Sequence, residues 1–235
     1  MTLLNKKRQW IWPIGLVVLV GSVYWGGYFT NSMPPQNYIR IAGEKPANMT
    51  IKAWANYIAS GDDCESYSYD MFGQKAHQGG KITTFFTQNF AEDDEHYELR
   101  VPYTTYTDSQ NCIIELRDIT VEAYNAFDSV GFAQLRIYQA GERYNNKPIN
   151  LSSTIEARDC RARYYEDLQE WSSGLACSFY TNGKIKNKKS DTIVFNAYTV
   201  YFDFSQFEDE TTITYNILAG ENYRQELVNP NSGQQ

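Results

Sequence analysis

The chain has 235 residues, 21 Lys and Arg against 28 Asp and Glu, and a formal charge of −7. Lys6, Lys7 and Arg8 are the only charges before Thr30, so the remainder holds 18 basic and 28 acidic residues, a charge of −10. That sign repels phosphate backbones and anionic headgroups, which excludes nucleic acid as a natural partner and favours basic proteins.

The first element is an uncharged apolar run over 10–29, placed just after the three basic residues. Twenty residues of helix reach roughly 30 Å, the thickness of a bilayer's hydrocarbon core. Trp10, Trp12, Tyr24, Trp25 and Tyr28 mark its two ends like interfacial belts, and Pro13 sits in the first turn, where a missing N–H costs little. A cleaved signal peptide is the rival reading. Its apolar region is normally shorter, and the only tolerable cleavage triplet here is Thr30-Asn31-Ser32. The run therefore predicts a single transmembrane helix in the inner (cell) membrane. Basic residues stay inside, so 1–9 is a cytoplasmic tail and the rest is periplasmic or otherwise extracytoplasmic.

Pro34, Pro35 and Pro46 in an apolar-poor stretch predict a tether over 30–48. Thr50 then caps an expected short helix ending at Gly61, with Ile51, Trp54, Ala55 and Ile58 on one face and Trp54 plugging the core.

From Cys64 the period becomes two. Tyr67, Tyr69 and Met71 alternate with polar residues; Ile82, Thr84, Phe86 and Phe90 share a side; so do Tyr97, Leu99, Val101 and Tyr103. Across 112–124 the apolar phase runs Cys112, Ile114, Leu116, then shifts to Ile119, Val121, Ala123, which predicts a β-bulge near Arg117 and Asp118. Further strands are expected at 132–138, 154–165, 176–181, 192–204 and 211–218, with Asn182-Gly183 as a hairpin turn. Leu168 and Trp171 allow one helical turn within 166–173. Many short strands without alternating helices predict a mostly β fold. It is an antiparallel β-sandwich or barrel-like domain over 49–228 with one or two short helices, followed by a disordered tail at 229–235.

Cys64, Cys112, Cys160 and Cys177 all follow the anchor. An even number in a translocated domain predicts two disulfides, and the short separation of Cys160 from Cys177 pairs those two, leaving Cys64 with Cys112. No C-x-x-C pair suggests zinc.

Catalytic patterns are missing: only His77 and His96 exist, and no G-x-S-x-G, H-E-x-x-H, Walker or G-x-G-x-x-G motif occurs. We expect no catalytic residue, no cofactor and no metal. The densest charge, Glu92, Asp93, Asp94 and Glu95 followed by His96, lacks the spaced ligands of a calcium loop and reads as an acidic hairpin tip able to face a basic partner. Lys184, Lys186, Lys188 and Lys189 read as the guard of a sheet edge. Nineteen tyrosines exceed what strands need, and Tyr-rich β surfaces suit protein recognition; Tyr103, Tyr106 and Trp171 join the acidic run as candidate partner contacts. The expected function is a membrane-anchored binding protein, most concretely an immunity protein that occludes a basic, periplasm-acting toxin. Alternatives are a structural subunit of an envelope or secretion complex, for which Gly15, Gly21, Gly26 and Gly27 would let the anchor pack closely, and an envelope hydrolase or sugar-binding module.

Overall fold

A computed structural model describes residues 37–61, 64, 67–69, 71–77, 80–125, 131–141, 146–162, 164–165, 167–171, 174–188 and 196–220. The expected anchor (10–29) and C-terminal tail (229–235) lie outside them. Among the described residues no helix is long and apolar enough to cross a membrane.

The described residues are mostly β, with sixteen strands and one 3-10 turn at Phe204–Gln206. β1 (Tyr38–Glu44) and β2 (Thr50–Ser60) open it, followed by β3 (Tyr67–Tyr69), β4 (Lys75–His77), β5 (Gly80–Phe86), β6 (His96–Pro102) and β7 (Tyr106–Thr107). The middle holds β8 (Ile113–Tyr124), β9 (Phe132–Gln139), β10 (Thr154–Arg161), β11 (Tyr164–Tyr165) and β12 (Glu170–Trp171). β13 (Ala176–Thr181), β14 (Lys184–Asn187), β15 (Ala197–Phe202) and β16 (Thr212–Leu218) complete it.

Three local expectations are corrected. The tether contains β1: Ile39 and Ile41 are fully buried, and the prolines bracket the strand instead of breaking it. Two isoleucines in seven residues are a weak local signal, but they are enough once neighbours supply the ladder.

The helix over 50–61 is strand β2, and Trp54 does not plug the core. Ile51, Ala53, Ala55, Tyr57 and Ala59 point inward at period two, so Trp54 lies on the opposite face, cross-strand from Phe85 and Thr120. The helical spacing of Ile51, Trp54, Ala55 and Ile58 was equally present; pairing with β5 and β8 decides between them, as tertiary context often overrides local propensity. The helical turn in 166–173 is instead the pairing of Tyr164–Tyr165 with Glu170–Trp171. Leu168, which a helix would bury, is exposed.

Two expectations stand at residue level. On β8, Asp118 faces Asn56 and Leu116 faces Tyr57, so Arg117 has no partner on β2 and is the bulge. Asn182 and Gly183 take φ 49° and 72° between β13 and β14, the positive values that a tight hairpin requires.

Two sheets share the core. The first has the order β14-β13-β10-β16-β1-β6, the second β15-β9-β8-β2-β5 with β7 against β8. Pairing is mixed: β16 is parallel to both β1 and β10, and β15 to β9. The purely antiparallel expectation is thereby corrected. Parallel neighbours need a long crossover, usually helical; here the chain makes each crossover by an excursion through other strands, so the lack of helices was no argument against parallel pairs.

Ile39, Ile41, Leu99, Ile213 and Ile217 of the first sheet and Ile119, Val121, Leu135, Ile137 and Phe202 of the second are fully buried in one cluster. Tyr97 donates its hydroxyl to the Tyr215 carbonyl at 2.7 Å, and Tyr215 donates to the Ala133 carbonyl at 2.5 Å, joining β16 to β9. Disulfides join Cys64 to Cys112 and Cys160 to Cys177, as expected. The described residues fall in one compact unit.

Candidate functional site

Because β1, β16 and β10 run parallel, their C-terminal ends finish on the same rim of the first sheet, where antiparallel β6 begins. Register sets Glu44 directly opposite His96 and Leu218 opposite Arg158. The segments leaving these strands enclose an open groove of about 700 Å³ lined by Glu44, Lys45, Glu95, His96, Arg158 and Asp159, with the chain from Ile217 to Gly220 as its floor.

Local chemistry shapes each wall. Asp93 accepts from the Glu95 amide at 2.9 Å and from His96 Nδ1 at 2.8 Å, which closes the acidic run into a turn. Lys45 is buried; its amide donates to the Glu95 carbonyl at 2.8 Å and its Nζ to the Asp94 carbonyl, holding the turn against β1. Opposite, the register of β10 on β13 shifts between Arg158 and Arg161, and Asp159 takes φ 51° in that bulge. Gly220 lies against it: a Cβ there would sit 3.1 Å from Asp159 Oδ1. The adjoining Cys160–Cys177 bridge anchors the bulge. Bulges often re-aim side chains beside functional sites.

Charge in the groove is one-sided. Exposed carboxylates line it at Glu44, Glu95 and Asp159, with Asp93 and Asp94 exposed on the adjoining turn. The three cationic groups each have a partner within the protein: Lys45 on the Asp94 main-chain carbonyl, His96 on the Asp93 carboxylate, and Arg158 on Glu156 at 2.6 Å and over the Tyr180 ring at 4.7 Å. A partner would therefore meet a negative surface.

The Asp93 hydrogen bond and charge hold the His96 imidazolium above its usual range, with Glu44 and Glu95 adding to the field. The same bond holds the Asp93 carboxyl below the usual carboxylate range. A raised histidine favours the folded turn below the unfolded pKa of about 6.5 and stops doing so as pH rises through its folded value. A lowered aspartate favours it above about 3.9 and stops as pH falls through its own folded value. The pair is thus complete between about pH 4 and 6.5. NMR titration of the His96 ring should give a midpoint above 6.5, and Asp93→Asn should return it toward that value. An unchanged midpoint in Asp93→Asn would refute the pairing.

Of the residues singled out from sequence, Asp93, Asp94 and Glu95 come together at this rim, and Glu92 is exposed just before them. Tyr103 and Tyr106 do not join them. They follow the other end of β6, about 20 Å away for a seven-residue strand. Both are partly buried against the core, and Tyr103 meets Phe207 edge-on at 6.0 Å. The Trp171 backbone lies in β12, and its side chain is outside the described residues. Lys184 and Lys186 are exposed on β14, an edge strand. Glu44, Lys45, Arg158 and Asp159 escaped sequence reasoning. No local pattern marks them, because only the parallel register of β1, β16 and β10 collects them.

A second polar cluster, on the outer face of the second sheet, is internally satisfied. Buried Glu122 accepts from the Tyr124 hydroxyl at 2.7 Å and from the Gln134 amide, and Asn56 donates to Asp118 at 2.5 Å. Among the described residues no group of three or more His, Cys, Asp or Glu could hold a metal ion. Comparison with protein-family models, with curated proteins and with solved structures finds no match for the chain.

Proposed function

We propose that this chain is a membrane-anchored, extracytoplasmic binding protein. Its β-sandwich head takes a basic partner at the groove formed by the ends of β1, β10 and β16. The observation that supports this reading is the excess of exposed carboxylates: Glu44, Asp94 and Glu95 are exposed at the rim, while His96 is paired with Asp93, Arg158 with Glu156, and Lys45 is buried on a main-chain carbonyl. Such a surface attracts Lys- and Arg-rich segments and accelerates their encounter. The apolar run after Lys6, Lys7 and Arg8 supports the anchor and the inside position of the N-terminus. The two disulfides fit an oxidising compartment such as the periplasm.

The most concrete form of this function is immunity: the head occludes the basic face of a toxin that acts in the same compartment. A deletion strain should lose to its parent in contact co-culture and be rescued by the wild-type gene, but not by Glu44→Lys/Glu95→Lys. The wild-type and charge-reversed proteins would be checked for equal abundance. Equal fitness of deletion strain and parent beside toxin-delivering siblings would reject immunity. Full rescue by the charge-reversed variant would reject the groove as the contact.

A further inference from the structure

The two sheets have four edges, and three of them are closed by identifiable devices. On β6, the Phe90 amide donates to the Glu98 carbonyl at 2.9 Å, the Glu98 amide donates to Asn89 Oδ1 at 2.9 Å, and Asn89 Nδ2 donates to the His96 carbonyl at 3.3 Å. On β15, the Ile149 amide and Asn187 Nδ2 cap the carbonyls of Tyr201 and Ala197, each at 2.9 Å. On β14, Lys184 and Lys186 are exposed along the edge. Clamps and lysines of this kind keep edges from pairing with other chains.

β5 is different. It ends the second sheet, and among the described residues no strand pairs with its outer edge. Ile82 is 37% exposed on its inner face and Phe85 69% exposed on its outer face. Its sequence, GKITTFF, has no proline and no carboxylate in a chain with 28 acidic residues. An acidic domain can bring two copies together here without opposing two negative charges on the strand.

We propose that β5 is the interface of a two-fold homodimer, in which the strands of two copies pair antiparallel into one continuous sheet. Side-chain alternation restricts the register. Ile82, Thr84 and Phe86 face inward and Lys81, Thr83 and Phe85 outward, so opposed residues must share parity. Centring the two-fold on Thr83 pairs all seven residues, Gly80 with the partner's Phe86 and Ile82 with the partner's Thr84. Centring it on Thr84 leaves the first two residues of each strand outside the ladder. With Thr83 at the centre, Lys81 is opposite the partner's Phe85. The only charge of the strand then lies on an aromatic face, a favourable cation–π arrangement.

The test uses the full-length chain in mild detergent, with mass measured by sedimentation over a concentration series. The wild type should reach the dimer mass. Phe85→Lys should weaken dimerisation about tenfold or more, as loss of an aromatic anchor commonly does, because it sets an ammonium opposite the partner's Lys81 twice. Phe85 is largely exposed, so circular dichroism should show an unchanged fold. Lys81→Glu combined with Phe85→Lys should restore the dimer. Oxidation of Thr83→Cys should give a covalent dimer, since paired Cα atoms lie about 4.5–5.5 Å apart. Lys81→Cys should not, since four residues of offset separate its copies by about 14 Å. A monomer at every concentration, a dimer unaffected by Phe85→Lys, or cross-linking at Lys81→Cys but not Thr83→Cys would overturn the proposal.

Discussion

Tyr215→Ala should lower the unfolding free energy by about 4 kcal/mol, in the range found when buried aromatic side chains are truncated. Tyr215 is fully buried in β16, the strand inserted between β1 and β10. Its ring fills the space between the sheets, and its hydroxyl reaches the Ala133 carbonyl on β9. Burial pushes that hydroxyl well above the ordinary tyrosine range, so it stays a neutral donor at every pH of interest. Ala133 takes φ 50°, an unfavourable conformation for a residue with a side chain, next to the register shift between β8 and β9. The bond to Tyr215 holds this position. Tyr215→Phe keeps the packing and removes only the donor, so it should cost about 1–3 kcal/mol, the penalty of leaving a buried carbonyl without its partner. Urea unfolding of the three proteins separates the two contributions. A Phe variant as stable as the wild type would show that the inter-sheet hydrogen bond is not formed in solution.

Removal of the disulfides should produce losses of similar size, ordered by loop length. The Cys64–Cys112 bridge spans 48 residues and Cys160–Cys177 spans 17. Loop-closure entropy then assigns about 4 kcal/mol to the first and about 3 kcal/mol to the second. Cys64→Ala/Cys112→Ala should therefore lower the urea midpoint more than Cys160→Ala/Cys177→Ala. The shorter bridge has a second role. It abuts Asp159 in the groove wall, so its loss should also weaken binding of the proposed basic partner, which loss of the longer bridge should leave unchanged. A urea midpoint insensitive to reductant would refute the constraint on the unfolded chain.

Legibility from sequence followed the range of the interaction. The Arg117 bulge was readable because a phase slip is written in adjacent residues, and the Asn182-Gly183 turn because positive φ favours a short list of residue types. Tyr97, Leu99 and Val101 declared the inward face of β6 by alternation alone. β2 was misread because Ile51, Trp54, Ala55 and Ile58 also satisfy a helical period, and nothing local breaks the tie. At the groove, the acidic run from Glu92 to Glu95 was visible, whereas its wall at Arg158 and Asp159 was not. Tyr103 and Tyr106 looked like surface aromatics, yet they close the far end of the core, since composition does not say which way a tyrosine faces.

By itself, then, the sequence determined the β-rich character of the chain, the two disulfide pairs, the bulge, the hairpin and the net acidity. Each depends on residue type and short-range spacing. Only the tertiary structure decided that β1 belongs to the sheet, that β16 inserts in parallel between β1 and β10, and that no strand among the described residues covers the outer edge of β5. Those outcomes depend on which distant strands share a ladder. A strand's period tells which face it buries but carries no information about its neighbour, and both the groove and the open edge are properties of neighbours.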